Sequence, residues 1–446
     1  MAVRQPIISK EIIDAAAHPL TGAAGDYDPL LEMVGDARYV LLGEATHGTH
    51  EFYRARAEIT KRLVREKGFS LIAWEADWPD ALRVNRYIRG QGDDRDAVEA
   101  TQNFERFPVW MWRNADILDL TGWLRSHNDS LPLNDTKVGV YGLDLYSLYR
   151  SIHSVIQYLD KVNPEAAKAA RRRYGCFEDF GDDPQTYGML ASNDPSASCE
   201  DQVVEQLLEL QRHAADFLDG RGAADELFFA EQNARVAKNA ERYYRAMYHG
   251  RQNTWNLRDR HMVDTLDALM GHFEKQGEQP KVVIWAHNSH LGDARATDMS
   301  RRDEVNVGQL VRERHFEGTV LVGFTTYSGT VTAASDWGEP AERKRVRPGM
   351  RGSCEELFHE ASVPNFLLVI GEHRHLYRSL ASALLERAIG VIYRPETERW
   401  SHYLHAKLSE QFDAVIHFDE TRAVEPLERT AQWDKGELPD MYPSAV

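Results

Sequence analysis

The sequence predicts an α/β fold: a mainly parallel central sheet flanked by helices, with a helical insertion forming a lid over the cleft. Three observations predict it. Strand-like apolar runs alternate with helix-like stretches, the pattern of crossover connections. Three of those runs end on an acid or a histidine: Tyr39 to Gly43 leads into Glu44-Ala45-Thr46-His47, Leu71 to Trp74 into Glu75, and Val282 to Ala286 into His287. Carboxyl ends of strands in an open parallel sheet share one edge, where ligands bind, so distant segments are expected to converge there. Finally, 446 residues of which 42% are hydrophobic suit one large domain over residues 1–446 with an insertion at about 150–275.

The elements follow in order. Tyr39 to Gly43 is the first strand. A helix runs from about Thr49 to Lys67, with Gly68 as its stop. Leu71 to Trp74 is the second strand, and Pro79 fits the first turn of a helix through Tyr87. Val138 to Gly142 is the third strand, with Asp144 just beyond it. Gly181 to Glu200, rich in Asp, Pro and Ser, reads as a loop or mobile lid. The charged, Ala- and Leu-rich stretch from Glu200 to His249 reads as helix. Strands resume at Val282 to Trp285, Val320 to Phe324, Phe366 to Ile370, Gly390 to Tyr393 and Ala414 to Phe418.

Composition excludes several function classes. With 53 Lys+Arg against 70 Asp+Glu, the net charge is −17, which argues against nucleic acid or an anionic membrane as partner. The three cysteines, Cys176, Cys199 and Cys354, form no C-x-x-C, so neither a disulfide framework nor a thiolate zinc site is expected. Met1 to Lys10 holds no long apolar segment and no signal peptide is expected. No apolar run approaches the roughly 20 residues of a membrane span. A cytoplasmic protein acting on a small molecule is the default; oligomeric state is not legible.

Candidate chemistry centres on the strand ends. Phe52, Ile59 and Leu63 form one helical stripe, and Arg56 falls on it. An inward guanidinium costs several kcal/mol unless a carboxylate meets it, and Glu44 and Glu75 are its natural partners; an Arg snorkelling from the core margin is the bland alternative. His47, three residues after Glu44, suits a general base held in one tautomer. His287, followed by Asn288, Ser289 and His290, suits a proton donor or substrate ligand; a structural histidine is the alternative. Asp144 is expected to support the site from behind. Arg258-Asp259 reads as a solvated surface pair, with a helix-borne ion pair near the site as the alternative. Trp110, Trp112, Arg113 and Asn114 form an aromatic and polar cluster; with His50 and with Tyr327 of Thr325-Thr326-Tyr327, Trp110 and Arg113 are candidate substrate contacts. There is no G-x-S-x-G elbow, no H-E-x-x-H, no Walker A loop and no dinucleotide fingerprint. Direct attack by activated water is favoured. No cofactor is required, with a divalent metal on His47, His50, Glu75 and His287 as one alternative and a non-catalytic small-molecule binder as another.

Gly43-Glu44-Ala45-Thr46-His47-Gly48-Thr49-His50-Glu51-Phe52, then Trp74-Glu75-Ala76, then Trp285-Ala286-His287-Asn288 together resemble the erythromycin esterase-like family, over about residues 35 to 430. That resemblance implies hydrolysis of a carboxylic ester or macrolactone, as in ring opening of macrolide antibiotics. It implies His47 as water-activating base, Glu44, Arg56 and Glu75 as its polar network, and His287 as a second active-site histidine. The family's esterases are viewed as metal-independent and other relatives in the wider superfamily as metal-dependent hydrolases, so the resemblance implies either. The chain departs from the antibiotic-resistance branch at His50, one helical turn beyond His47, a departure that bears on macrolides as substrates more than on the architecture.

Overall fold

The computed structural model describes residues 10–436 apart from 134, 182, 215–220 and 250–252; the expected absence of a signal peptide at Met1 to Lys10 falls almost wholly outside them. The chain divides into two compact units. The first comprises Met1–Ile72, Val84–Gly139 and Lys281–Val446; the second comprises Ala73–Arg83 and Val140–Pro280, and so takes in the 150–275 stretch.

The strands are β1 (His18–Pro19), β2 (Tyr39–Leu42), β3 (Leu71–Asp77), β4 (Gly139–Asp144), β5 (Val282–Trp285), β6 (Thr319–Ala333), β7 (Glu342–Val346), β8 (Asn365–Val369), β9 (Leu384–Arg387), β10 (Tyr403–Ala406) and β11 (Ala414–Thr421). The main sheet follows the order β1-β8-β11-β6-β2-β5-β3-β4, with β7 added on β6. Parallel pairing joins β2 to β5, β2 to β6 and β11 to β6. The sheet is mixed at one side, where β8 runs antiparallel to β11 and to β1. Every residue of β2 and β5 is buried, as expected of strands covered on both faces. That is why these segments are continuous Val, Leu, Ile and Trp rather than alternating.

Most predicted strands recur with shifted ends. β6 is the largest difference: it continues past Phe324 for nine more residues to Ala333 and folds back on β7 in an antiparallel ribbon, Gly329 opposite Val346 through Ala333 opposite Glu342. β7 reads Glu-Arg-Lys-Arg-Val, a charged edge segment with no apolar pattern to find. Gly390 to Tyr393 is not a strand. It makes single bridges such as Ala334 to Ile392, and the regular pair nearby is β9 with β10.

In the first unit, helix α1 (His50–Lys67) follows β2 and ends on Gly68 with φ 72°, the left-handed conformation that favours glycine. In the second unit, helices α2 (Leu148–Val162), α3 (Pro164–Tyr174), α4 (Pro184–Asn193), α5 (Glu200–Arg212) and α6 (Arg221–His249) bury a common core that includes Ile152, Tyr187, Leu210 and Ala237, and α7 (Thr254–Lys275) follows. α4 corrects the loop expected at Gly181 to Glu200. Asp183 caps it, accepting from Gln185 N–H at 3.0 Å and Thr186 N–H at 3.2 Å, with Pro184 in the first turn. An Asp-Pro pair that reads as a loop signal is here a helix start. The cysteine reading is corrected as well: Cys176 and Cys199 are joined by a disulfide in the same core, 23 residues apart in sequence, a pairing made by helix packing that spacing alone does not show. Among the described residues no helix is long and apolar enough to cross a membrane.

Candidate active site

Parallel pairing of β2 with β5 sets Leu42 opposite Trp285, so Glu44 and His287 leave the sheet on the same edge. The turn after β2 is closely built. Gly43 donates to Val322 O at 2.8 Å, and a Cβ on it would collide with Asn288 Oδ1. Gly48 O accepts from Thr332 N–H at 3.0 Å and Val424 N–H at 2.8 Å, and a Cβ there would strike the Thr332 backbone. Tyr53 O–H donates to His47 O at 3.0 Å. His47 is thereby fixed from its own backbone outward.

The side chains complete a linear array. His47 Nδ1 meets Glu44 Oε1 at 2.9 Å, and Arg56 Nη2 meets Glu44 Oε2 at 2.5 Å. Glu44 and Arg56 are each 1% exposed and His47 7%. With Nδ1 donating to a carboxylate, His47 Nε2 is the basic nitrogen. The guanidinium carbon of Arg56 lies 4.6 Å from the ring centres of both Tyr53 and Trp285. Its charge is met by one carboxylate and two aromatic faces, which is how a cation sits on the buried stripe with Phe52, Ile59 and Leu63. The His287 ring lies 4.9 Å from that of His47. Its Nδ1 accepts from Ser289 N–H at 3.2 Å and pairs with Ser289 Oγ at 2.8 Å, capping the short helix Asn288–Leu291. The geometry thus brings Glu44, His47, Arg56 and His287 together.

Glu75 belongs to the second unit and has different company. Arg258 reaches Glu75 Oε1 at 2.6 Å and grips Asp144 through Nε at 3.0 Å and Nη2 at 2.7 Å. Its guanidinium also lies over Tyr146. Burial works against the charge of Arg258, but Asp144, Tyr146 and Glu75 outweigh it and hold the guanidinium protonated beyond its ordinary range. The surface pair expected at Arg258-Asp259 is corrected: Arg258 is an interior clamp and Asp259 is fully buried. Arg258 thus bridges Asp144 and Glu75.

The residues expected to contact substrate have partners of their own. His50 Nδ1 meets Asp116 Oδ2 at 2.8 Å, and that hydrogen bond, against burial, raises the His50 pKa. Trp110 is buried edge-on against Phe107, and Arg113 is tied to Glu428. Asn114 caps helix Ala115–Ser130. Tyr327 stacks on His359 at 3.6 Å. None of these pairings involves His47 or Glu44. Among the described residues no three His, Cys, Asp or Glu side chains are grouped to hold a metal ion.

A sequence profile described as Erythromycin esterase matches residues 64–421. The chain belongs to the erythromycin esterase family. It is 20% identical over 424 residues to the erythromycin esterase type II of Escherichia coli, covering 90% of this chain and 93% of that one. A crystal structure of a Bacillus cereus protein superposes with a TM-score of 0.78 at 22% identity, over 95% of this chain and all of the other. A mutant of the erythromycin esterase EreC in its open conformation superposes with a TM-score of 0.67 at 17% identity, over 95% and 99% of the two chains. At these identities the structural likeness speaks for the family's fold, not for a substrate.

Proposed function

We propose that the protein is a hydrolase that cleaves a carboxylic ester or lactone by water activated at His47. The observation that carries this reading is the buried Glu44–His47–Arg56 array beside His287. A histidine with one nitrogen committed to a carboxylate and the other free to take a proton is the arrangement general-base catalysis needs. His47 Nε2 takes a proton from water as the water oxygen bonds to the carbonyl carbon. The carbonyl π electrons move to its oxygen. As the tetrahedral species collapses, the C–O ester bond breaks and His287 gives a proton to the departing alkoxide. General-base help of this kind is worth about 10²–10⁴-fold.

The charged neighbours take separate parts. Glu44 orients the imidazole and stabilises its cation, a duty assigned to it over Glu75 because Glu75 is engaged by Arg258. Arg56, enclosed by Glu44, Tyr53 and Trp285, fixes the Glu44 carboxylate in place rather than facing an oxyanion. Family membership makes macrolactones the first substrates to try, and His50 with its Asp116 partner widens the search to other esters.

The test is mass spectrometry of chelator-treated protein incubated with a large-ring macrolide and an ester panel, with His47→Asn alongside. The expected product is heavier by one water and absent with the variant, whose circular dichroism matches the parent. Turnover by His47→Asn at the parent rate overturns the assignment.

A further inference from the structure

Behind His287 lies a second set of buried acids. Glu386, on β9, is 1% exposed. Its Oε1 accepts from Asn288 Nδ2 at 3.3 Å and its Oε2 meets Gln411 Nε2 at 2.8 Å. Asn288 is the residue after His287. Its backbone N–H donates to Glu44 O at 2.8 Å, its Nδ2 also donates to Phe324 O at 2.8 Å, and its Oδ1 accepts from Phe324 N–H at 3.2 Å. Asn288 therefore ties the Glu44 strand end through its backbone and β6 through its amide side chain, and Glu386 is what that side chain rests on.

The surroundings of Glu386 disfavour a charge. The nearest cation in sequence, Arg387, spends its guanidinium on Glu398, Tyr403 and the carbonyls of Tyr327 and Arg347. Buried Glu355, which accepts from Arg387 N–H at 2.9 Å and from the Cys354 thiol at 3.3 Å, adds a second acid to the same interior. Gln411 Oε1 is a buried acceptor with no hydrogen-bond donor. Turning that amide over and placing a proton on Glu386 Oε2 would satisfy it.

We propose that Glu386 is a positioning residue: an uncharged carboxylic acid, wedged between Gln411 and Asn288, that holds Asn288 and thereby sets His287 and the Glu44 turn. The inference rests on the proposed hydrolysis only for its kinetic readout. Burial, and then the Glu355 charge, push the Glu386 pKa up to about 8 against the two amides. Above that pH Gln411 must turn its N–H to the carboxylate, both amides are drawn more strongly to the buried charge, and Asn288 shifts from the position it holds beside the neutral acid.

The experiment follows kcat, KM and the ¹³C signal of the His287 ring from neutral to alkaline pH, with His287→Asn to assign the signal. In the parent protein a step near pH 8 is expected in both kcat and the His287 signal. Glu386→Gln, neutral at every pH, should keep the neutral-pH kcat and lose the step in both. Glu386→Ala should drop kcat about tenfold with KM little changed, the size of effect a small misplacement produces. A step that persists in Glu386→Gln overturns the proposal. If no ester is turned over, the hydrolase reading fails while the NMR comparison still decides Glu386, and if the Ala variant does not fold, the Gln variant decides alone.

Discussion

Arg56 shows how a single residue can be read from a sequence and Arg258 how one can be missed. A cation on the stripe of Phe52, Ile59 and Leu63 is an anomaly visible without coordinates, and the structure resolves it against Glu44. Arg258 stands beside an aspartate and looks like a surface pair, yet its partners lie 183 and 114 positions away. No local pattern reports contacts at that range. Removing Arg56 leaves Glu44 buried and without its ion-pair partner, so Arg56→Met should cost about 3–5 kcal/mol in urea unfolding, and adding Glu44→Gln should recover part of it. His261, in the second unit, sets an acid limit. Burial, opposed by Asp144, pulls its pKa from 6.5 to about 4. The folded state holds it neutral while the unfolded chain takes up the proton. Stability should therefore fall as pH drops from about 6.5 towards 4, by on the order of 3 kcal/mol, and His261→Asn should flatten that limb of a denaturation series.

At the scale of elements, the apolar, fully buried strands were legible because burial on both faces leaves an unbroken Val, Leu and Ile signature. β7, β9 and β10 were not. Their sequences are charged or mixed, and their existence depends on a neighbour: β7 forms because β6 runs on past the parallel sheet and offers it an edge. His47, His287 and Glu44 could be picked out by their place after strands. Asn288 and Glu386 could not be assigned a task, since their importance comes from hydrogen bonds to the backbone of other elements. The far half of β6 also bears on the His47 turn. Gly48 lies so close to Thr332 that any side chain must displace backbone. Gly48→Ala should therefore cost 1–3 kcal/mol or more, on the order of other overpacking changes, and abolish turnover. An Ala variant with unchanged midpoint and rate would show that the turn can yield.

On the scale of the whole molecule, family and fold could be read from the ordered motifs, while the disulfide could not. Cys176 and Cys199 close a loop within the second unit, and a cross-link of that size restricts the unfolded chain by about 2–4 kcal/mol. Reductant should lower the urea midpoint by a corresponding amount, and a Cys176→Ser/Cys199→Ala variant should no longer respond to it. The order of strands has a consequence for synthesis. β2, which carries Glu44 and His47, is made near the start of the chain, but its two neighbours are β5 and β6, beginning at Val282 and Thr319. At ribosomal speeds its apolar residues wait on the order of tens of seconds for partners, and pairing then requires closing a very long loop. The turn after β2 is thus among the first parts to leave the ribosome and among the last to be completed, which makes the nascent chain a natural client for chaperones that shield a bare strand.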